Sequence, residues 1–159
     1  MADRIEFTLD GKTVTAAPGE TIWQVATRLG TEIPHLCYAP EPGYRPDGNC
    51  RACMVEIKGE RVLAASCIRK PTAGMEVTTA SERAKSARRM VFELLVADQP
   101  ERETSHDPDS KFWNWAGKVG VTESRFPKDE RPMMDISHPT SSSSEATLAP
   151  RVRERNRPR

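Results

Sequence analysis

The sequence predicts an α+β fold: a small mixed β-sheet laid over one helix, with further helices added after it. Three observations carry this. Two stretches within the first sixteen residues have a β-type pattern around an Asp-Gly pair, which reads as a hairpin. A capped, amphipathic helical pattern follows at once. Short alternating stretches then return between residues 54 and 78, supplying the remaining strands.

In chain order, Ile5, Phe7 and Leu9 alternate with polar residues, Asp10-Gly11 turns, and Thr13 to Ala16 resumes the pattern. Pro18-Gly19 ends the hairpin. Thr21 and Gln24 have capping-box spacing and open a helix whose apolar face is Ile22, Val25, Ala26 and Leu29, with Gly30 at the position of a left-handed C-terminal cap. Residues 34 to 49 are rich in proline and glycine without periodicity and read as loop. Met54 to Ile57 alternates, Lys58-Gly59-Glu60 turns, and Arg61 to Ala65 returns as a second hairpin; Met75 to Thr78 gives one more strand.

Beyond residue 80 the pattern changes to a helical period. Thr79 and Glu82 repeat the capping-box spacing, opening a helix to about Asp98 with an apolar stripe of Ala84, Ala87, Val91, Leu94 and Leu95. The opposite face carries Arg83, Lys85, Arg89 and Glu93, and Lys85, Arg88 and Arg89 read as solvated. A shorter helix is expected at Ser110 to Lys118, where Phe112, Trp113 and Trp115 either cover the core or form a docking patch. The expected organisation is a sheet-and-helix domain at 1–80, a helical extension at 81–135, and a disordered Ser/Arg-rich tail at 136–159.

Composition bounds the function. Apolar residues are 36 % of the 159 and charged residues 30 %, and no apolar run is long enough to span a bilayer. The polar N-terminal segment lacks a secretory pattern, so the expected location is cytoplasmic, where cysteines serve as metal ligands more often than as disulfides. The net charge of +1 is uneven: residues 151–159 hold five arginines and one glutamate, leaving residues 1–150 at −3. The body therefore offers no nucleic-acid-binding surface. No phosphate-binding glycine loop, Ser/His/Asp set or paired carboxylates appear, so the chain alone is expected to break no substrate bond. Trp23 reads as packing, and His106 and His138 as solvated.

The four cysteines fall in the pattern Cys37-x12-Cys50-x2-Cys53-x13-Cys67. Four thiolates without a histidine partner suit iron–sulfur or zinc. A zinc ribbon brings two Cys-x-x-Cys knuckles on two hairpins, whereas this chain has one. A singly, paired, singly spread set around a loop suits a [2Fe–2S] rhomb, with either pairing of cysteines open. Rieske ligation needs two histidines, and only His35 is near. A structural zinc-binding interaction module is the alternative of another class.

The stretch Gly48-Asn49-Cys50-Arg51-Ala52-Cys53-Met54-Val55-Glu56, with Ile33 to Tyr38 before it and Ala65-Ser66-Cys67 after it, resembles the N-terminal [2Fe–2S] domain of the large iron–sulfur subunit of respiratory complex I and its relatives. Residues 89–100, His106 to Ser110 and Ser124 to Pro127 are similar to the alpha subunit of cytosolic NAD-dependent formate dehydrogenases containing molybdenum or tungsten. The resemblance covers about residues 4 to 138. It implies a β-grasp ferredoxin-like fold with one [2Fe–2S] cluster on Cys37, Cys50, Cys53 and Cys67. It further implies a relay role, with molybdopterin-containing and flavin/NAD-binding subunits as partners, in electron transfer from formate to NAD. An NAD-reducing hydrogenase or complex I-like assembly is the alternative setting. The family's chains continue into further cysteine-rich motifs and a large catalytic domain, while this one has no cysteine after Cys67. A stand-alone module and the front of a truncated or frame-shifted subunit are the two expectations.

Overall fold

The computed structural model describes residues 4–127. The tail expected at 136–159, and His138, lie outside the described residues. Strand β1 (Ile5–Leu9) pairs antiparallel with β2 (Lys12–Ala16) from Ile5 opposite Ala16 to Leu9 opposite Lys12. Asp10 (φ 48°) and Gly11 (φ 79°) both take left-handed backbone, the primed turn whose twist matches a two-residue hairpin. Helix α1 (Ile22–Arg28) follows with the expected reciprocal cap between Thr21 and Gln24. It closes with Thr31 N–H on the Ala26 carbonyl and Gly30 N–H on that of Thr27, the Schellman arrangement.

Strands β3 (Met54–Ile57), β4 (Ala64–Ala65) and β5 (Glu76–Thr78) complete a five-stranded sheet in the order β2-β1-β5-β3-β4. The β1/β5 pair is parallel; the other three are antiparallel. Phe7, Leu9, Val55, Ile57 and Val77 from the sheet share one core with Ile22, Trp23, Val25 and Ala26 of α1. The mixed sheet over a helix is the β-grasp ferredoxin-like arrangement.

Several expectations are corrected. The returning strand holds only Ala64–Ala65, because Val62 is exposed and the Arg61 carbonyl accepts from Arg83 instead of a strand. Leu29 is exposed at the C-cap of α1, and Trp23 takes its place in the core, its Nε1–H donating to the Ile33 carbonyl at 3.2 Å. Helix α2 (Glu82–Ala97) is capped by Ser81, whose side chain accepts from Ala84 N–H; Thr79 is instead held by its N–H and hydroxyl on the Asp10 carboxylate, both at 2.7 Å. Its buried face runs Ala84, Arg88, Phe92, Val96, while Leu94 is exposed. Arg88 is thus buried, not solvated, because two main-chain carbonyls accept its guanidinium.

After a 3₁₀ turn (Arg102–Thr104), α3 (Lys111–Val119) starts at Ser110, which accepts from Trp113 N–H. Ala52, Phe92, Val96, Trp113, Ala116 and Val121 form a second core, with Leu36, Cys50, Phe112 and Trp115 packed against it. The aromatic cluster therefore covers the protein's own interior. Glu93, read as exposed, is buried and bracketed by Arg89 (3.2 Å) and Arg125 (2.8 Å), which ties the Ser124–Pro127 segment to α2. No described helix is long and apolar enough to cross a membrane.

Candidate metal centre

The two cores meet at the cysteines. Cys53 enters β3 and Cys67 follows β4; both are buried and belong to the sheet core. Cys50 packs against the helical core, and Cys37 lies between Leu36, which packs against that core, and Tyr38, which is buried in the sheet core. Tyr38 is fixed by its hydroxyl, which accepts from Gln24 Nε2 at 3.2 Å. Each loop arm is thus seated by a neighbouring side chain.

The Cys67 segment is held from two sides. Ser66 donates through its N–H (3.1 Å) and its hydroxyl (2.8 Å) to the Cys53 carbonyl, locking the two buried cysteines together. The first turn of α1 has N–H groups without helical partners; those of Ile22 and Trp23 take the carbonyls of Arg69 and Ser66 at 2.9 and 3.0 Å. In the other arm Gly48 (φ 67°) and Arg51 (φ 59°) are both left-handed, and Arg51 is one of two described non-glycine residues with positive φ. A Cβ on Gly48 would lie 2.8 Å from Ile68 Cδ1, so a side chain there would have to displace Ile68 as well as adopt left-handed backbone, which glycine does freely.

Main-chain N–H groups are aimed at sulfur. Those of Cys37, Ala52 and Leu36 reach the Cys50 thiol, whose pKa burial nonetheless pushes up. Cys53 is drawn down to about 6, first by the hydrogen bond from the Cys67 thiol and further by main-chain amides and Ser66. Cys67 is raised, first by that same bond. Cys37 and Cys50 are likewise hydrogen-bonded, so the thiols form two pairs, while Cys67 feels the charge of all three others.

This layout fits a [2Fe–2S] rhomb. Two linked pairs in one charged neighbourhood suit two metals joined by bridging atoms. His35 does not extend the set: its ring is edge-on to Trp23 (4.6 Å) and Trp115 (5.7 Å), and its Nδ1 is 3.2 Å from the Ile33 carbonyl. Burial lowers its pKa. His106 is exposed, in a groove of about 670 Å³ that also touches Cys37 and Cys50. The spacing of cysteines singled out the four thiols; the contacts by which Ser66 and Tyr38 seat them, and the left-handed backbone of Arg51, could not be read from spacing.

A ferredoxin-like sheet carrying two thiol pairs defines an iron–sulfur electron-transfer module. Residues 2–82 match the 2Fe-2S iron-sulfur cluster binding domain family, and the chain belongs to it. It is similar to the NADP-reducing hydrogenase subunit HndD of Solidesulfovibrio fructosivorans, 41 % identical over 127 residues, covering 77 % of this chain and 22 % of that protein. It is also similar to one of the subunits of the NADH-quinone oxidoreductase of Rickettsia bellii, 36 % identical over 96 residues, covering 60 % of this chain and 14 % of that protein. Among solved structures, an NAD⁺-reducing [NiFe]-hydrogenase in the H₂-reduced state superposes with a TM-score of 0.70 at 33 % identity, covering 85 % of this chain and 57 % of that one. The chain thus spans about a fifth of the length of the first relative and a seventh of the second.

Proposed function

We propose that Cys37 and Cys50 hold one iron and Cys53 and Cys67 the other of a single [2Fe–2S] cluster, and that the chain is a one-electron relay within a larger NAD(P)-linked oxidoreductase. One observation carries this reading: the fold gathers the four cysteines in two sets, Cys53 and Cys67 buried and locked through Ser66 on the Cys53 carbonyl, and Cys37 and Cys50 lining one groove. When bound, such a cluster accepts and returns one electron. The protein's part is to hold the ligands and tune them. N–H groups directed at sulfur favour the more negative state. The sheet keeps water from Cys53 and Cys67, while the groove at Cys37 and Cys50 leaves the outer edge within reach of a redox partner. In this reading residues 1–80 are the cluster-binding unit and 81–135 an extension whose α2 and α3 seat its outer arm, working in the reducing cytoplasm, where cysteines stay open for metal.

The partner assignment rests on the second half. The resemblance of residues 89–100, 106–110 and 124–127 to formate dehydrogenase alpha subunits supports a place between a molybdopterin-containing subunit and a flavin subunit that reduces NAD. The hydrogenase reading is favoured by a different observation, the 41 % identity to a hydrogenase subunit. Anaerobic purification tests both levels. Iron and acid-labile sulfide in equal amounts, with a paramagnetic signal after reduction, support the cluster; zinc in a colourless protein defeats it. Formate- or hydrogen-dependent NAD reduction by the co-purified complex then separates the two settings.

A further inference from the structure

Arg88 and Glu93 are the buried formal charges among the described residues outside the cysteines. Glu93 is answered by two guanidinium groups. Arg88 is answered by none of the described carboxylates: its Nε donates to the Met54 carbonyl at 2.8 Å, and one Nη donates to that carbonyl and, at 2.7 Å, to that of Thr79. Carbonyls satisfy hydrogen-bond donors but do not neutralise a cation, and a buried charge without a counter-charge is costly. The sequence neighbour of Met54 is Cys53. Burial pulls the Arg88 pKa below its ordinary value, and the negative charges of Cys53 and Asp10 oppose that pull.

A two-iron centre with four thiolates is negative in both redox states and gains one further negative charge on reduction. A fixed cation behind its buried edge therefore favours the reduced form. We propose that Arg88 supplies this charge and sets the reduction potential of the cluster through the inner pair, Cys53 and Cys67. The inference rests on the reading that these cysteines are cluster ligands. The guanidinium is fixed at both ends, since Thr79, whose carbonyl it binds, is itself clamped to the Asp10 carboxylate. Asp10 thereby offsets part of the field at longer range.

The test is an electron-paramagnetic-resonance-monitored redox titration of the full chain and of Arg88→Gln, Arg88→Lys and Asp10→Asn at low ionic strength, with iron and sulfide content measured for each. Arg88→Gln should lower the reduced-to-oxidised ratio at fixed poise by about tenfold, as removal of one buried unit charge warrants, a fall of about 59 mV for one electron. Arg88→Lys keeps the charge and should stay within about threefold of the parent while losing thermal stability, because it cannot bridge both carbonyls. Asp10→Asn keeps a residue at home in left-handed backbone and should move the potential the other way, by less. A loaded Arg88→Gln protein with an unmoved potential, or equal shifts in the Gln and Lys variants, overturns the proposal. Should the Gln variant fail to assemble, Arg88→Met, neutral and of similar length, takes its place: a lowered potential supports the proposal and an unmoved or raised one defeats it. Absence of iron from the parent chain would defeat the cluster reading itself.

Discussion

The two cysteine pairs share one loop system but are built by different physics. Cys53 and Cys67 are anchored by a sheet: one directly precedes a strand, the other follows one, and Ser66 staples them through the Cys53 carbonyl. Cys37 and Cys50 stand on a proline-rich loop that has no strand or helix of its own and is seated by the helical core of Phe92, Val96, Trp113 and Ala116. The inner pair is thus a product of the fold proper, while the outer pair depends on the helices that follow it. A binding site of this kind can lose one half without losing the other.

Four kinds of substitution would break or sharpen that contrast. The largest effect is expected for the proposed ligands. Cys53→Ser and Cys50→Ser should both abolish cluster assembly, but Cys53→Ser should also loosen the sheet core in which it is buried, whereas Cys50→Ser should leave it intact. Full iron and sulfide in both variants would contradict the assignment, and amide exchange in β1 and β3 reads the difference between them.

Next is Phe92→Ala, which empties the centre of the helical core and should cost about 3–5 kcal/mol by chemical denaturation. Its signature is faster iron loss while exchange protection persists in the sheet. Equal loss of protection in β1 and α2 would mean that the two cores unfold as one.

Gly48→Ala should follow at about 1–3 kcal/mol, from left-handed backbone and the close approach of Ile68. It should slow cluster reconstitution more than it lowers the melting temperature of the metal-free chain; the reverse order would mean that the outer arm does not depend on this close approach.

The smallest effect belongs to Glu20, whose carboxyl is held below its ordinary pKa first by its hydrogen bond with Arg28. A depressed carboxylate contributes stability above its unfolded pKa and loses it as pH falls through the folded value. Glu20→Gln should therefore cost under about 1 kcal/mol at neutral pH. Its difference from the parent should fade upon acidification below the usual carboxylate range, and a difference that grows instead would reverse the sign expected for this pair.

How much of this was legible in the sequence follows the same division. The first hairpin, the α1 cap and the four cysteines were readable because their signals are local: an Asp-Gly turn, a Thr/Gln box, a spacing of thiols. The face of α2 was not. Its stripe was assigned by hydrophobicity, which ranks Leu94 above Arg88, yet the helix turns Arg88 inward because the Met54 and Thr79 carbonyls await it. Thr79 offered an N-cap spacing but was claimed by Asp10, 69 residues earlier in the chain. Such partners are fixed by tertiary structure, and no window of sequence contains both. The aromatic residues of α3 were found as a cluster, while their target, the loop holding Cys50, was not.

The reach of the helical core to Val121 also bears on how the protein is made. A chain still on the ribosome can close its sheet and present Cys53 and Cys67 well before α3 has emerged. The seat for Cys50 forms only after α3 arrives. Metal delivered before that point would therefore meet a half-formed receptacle.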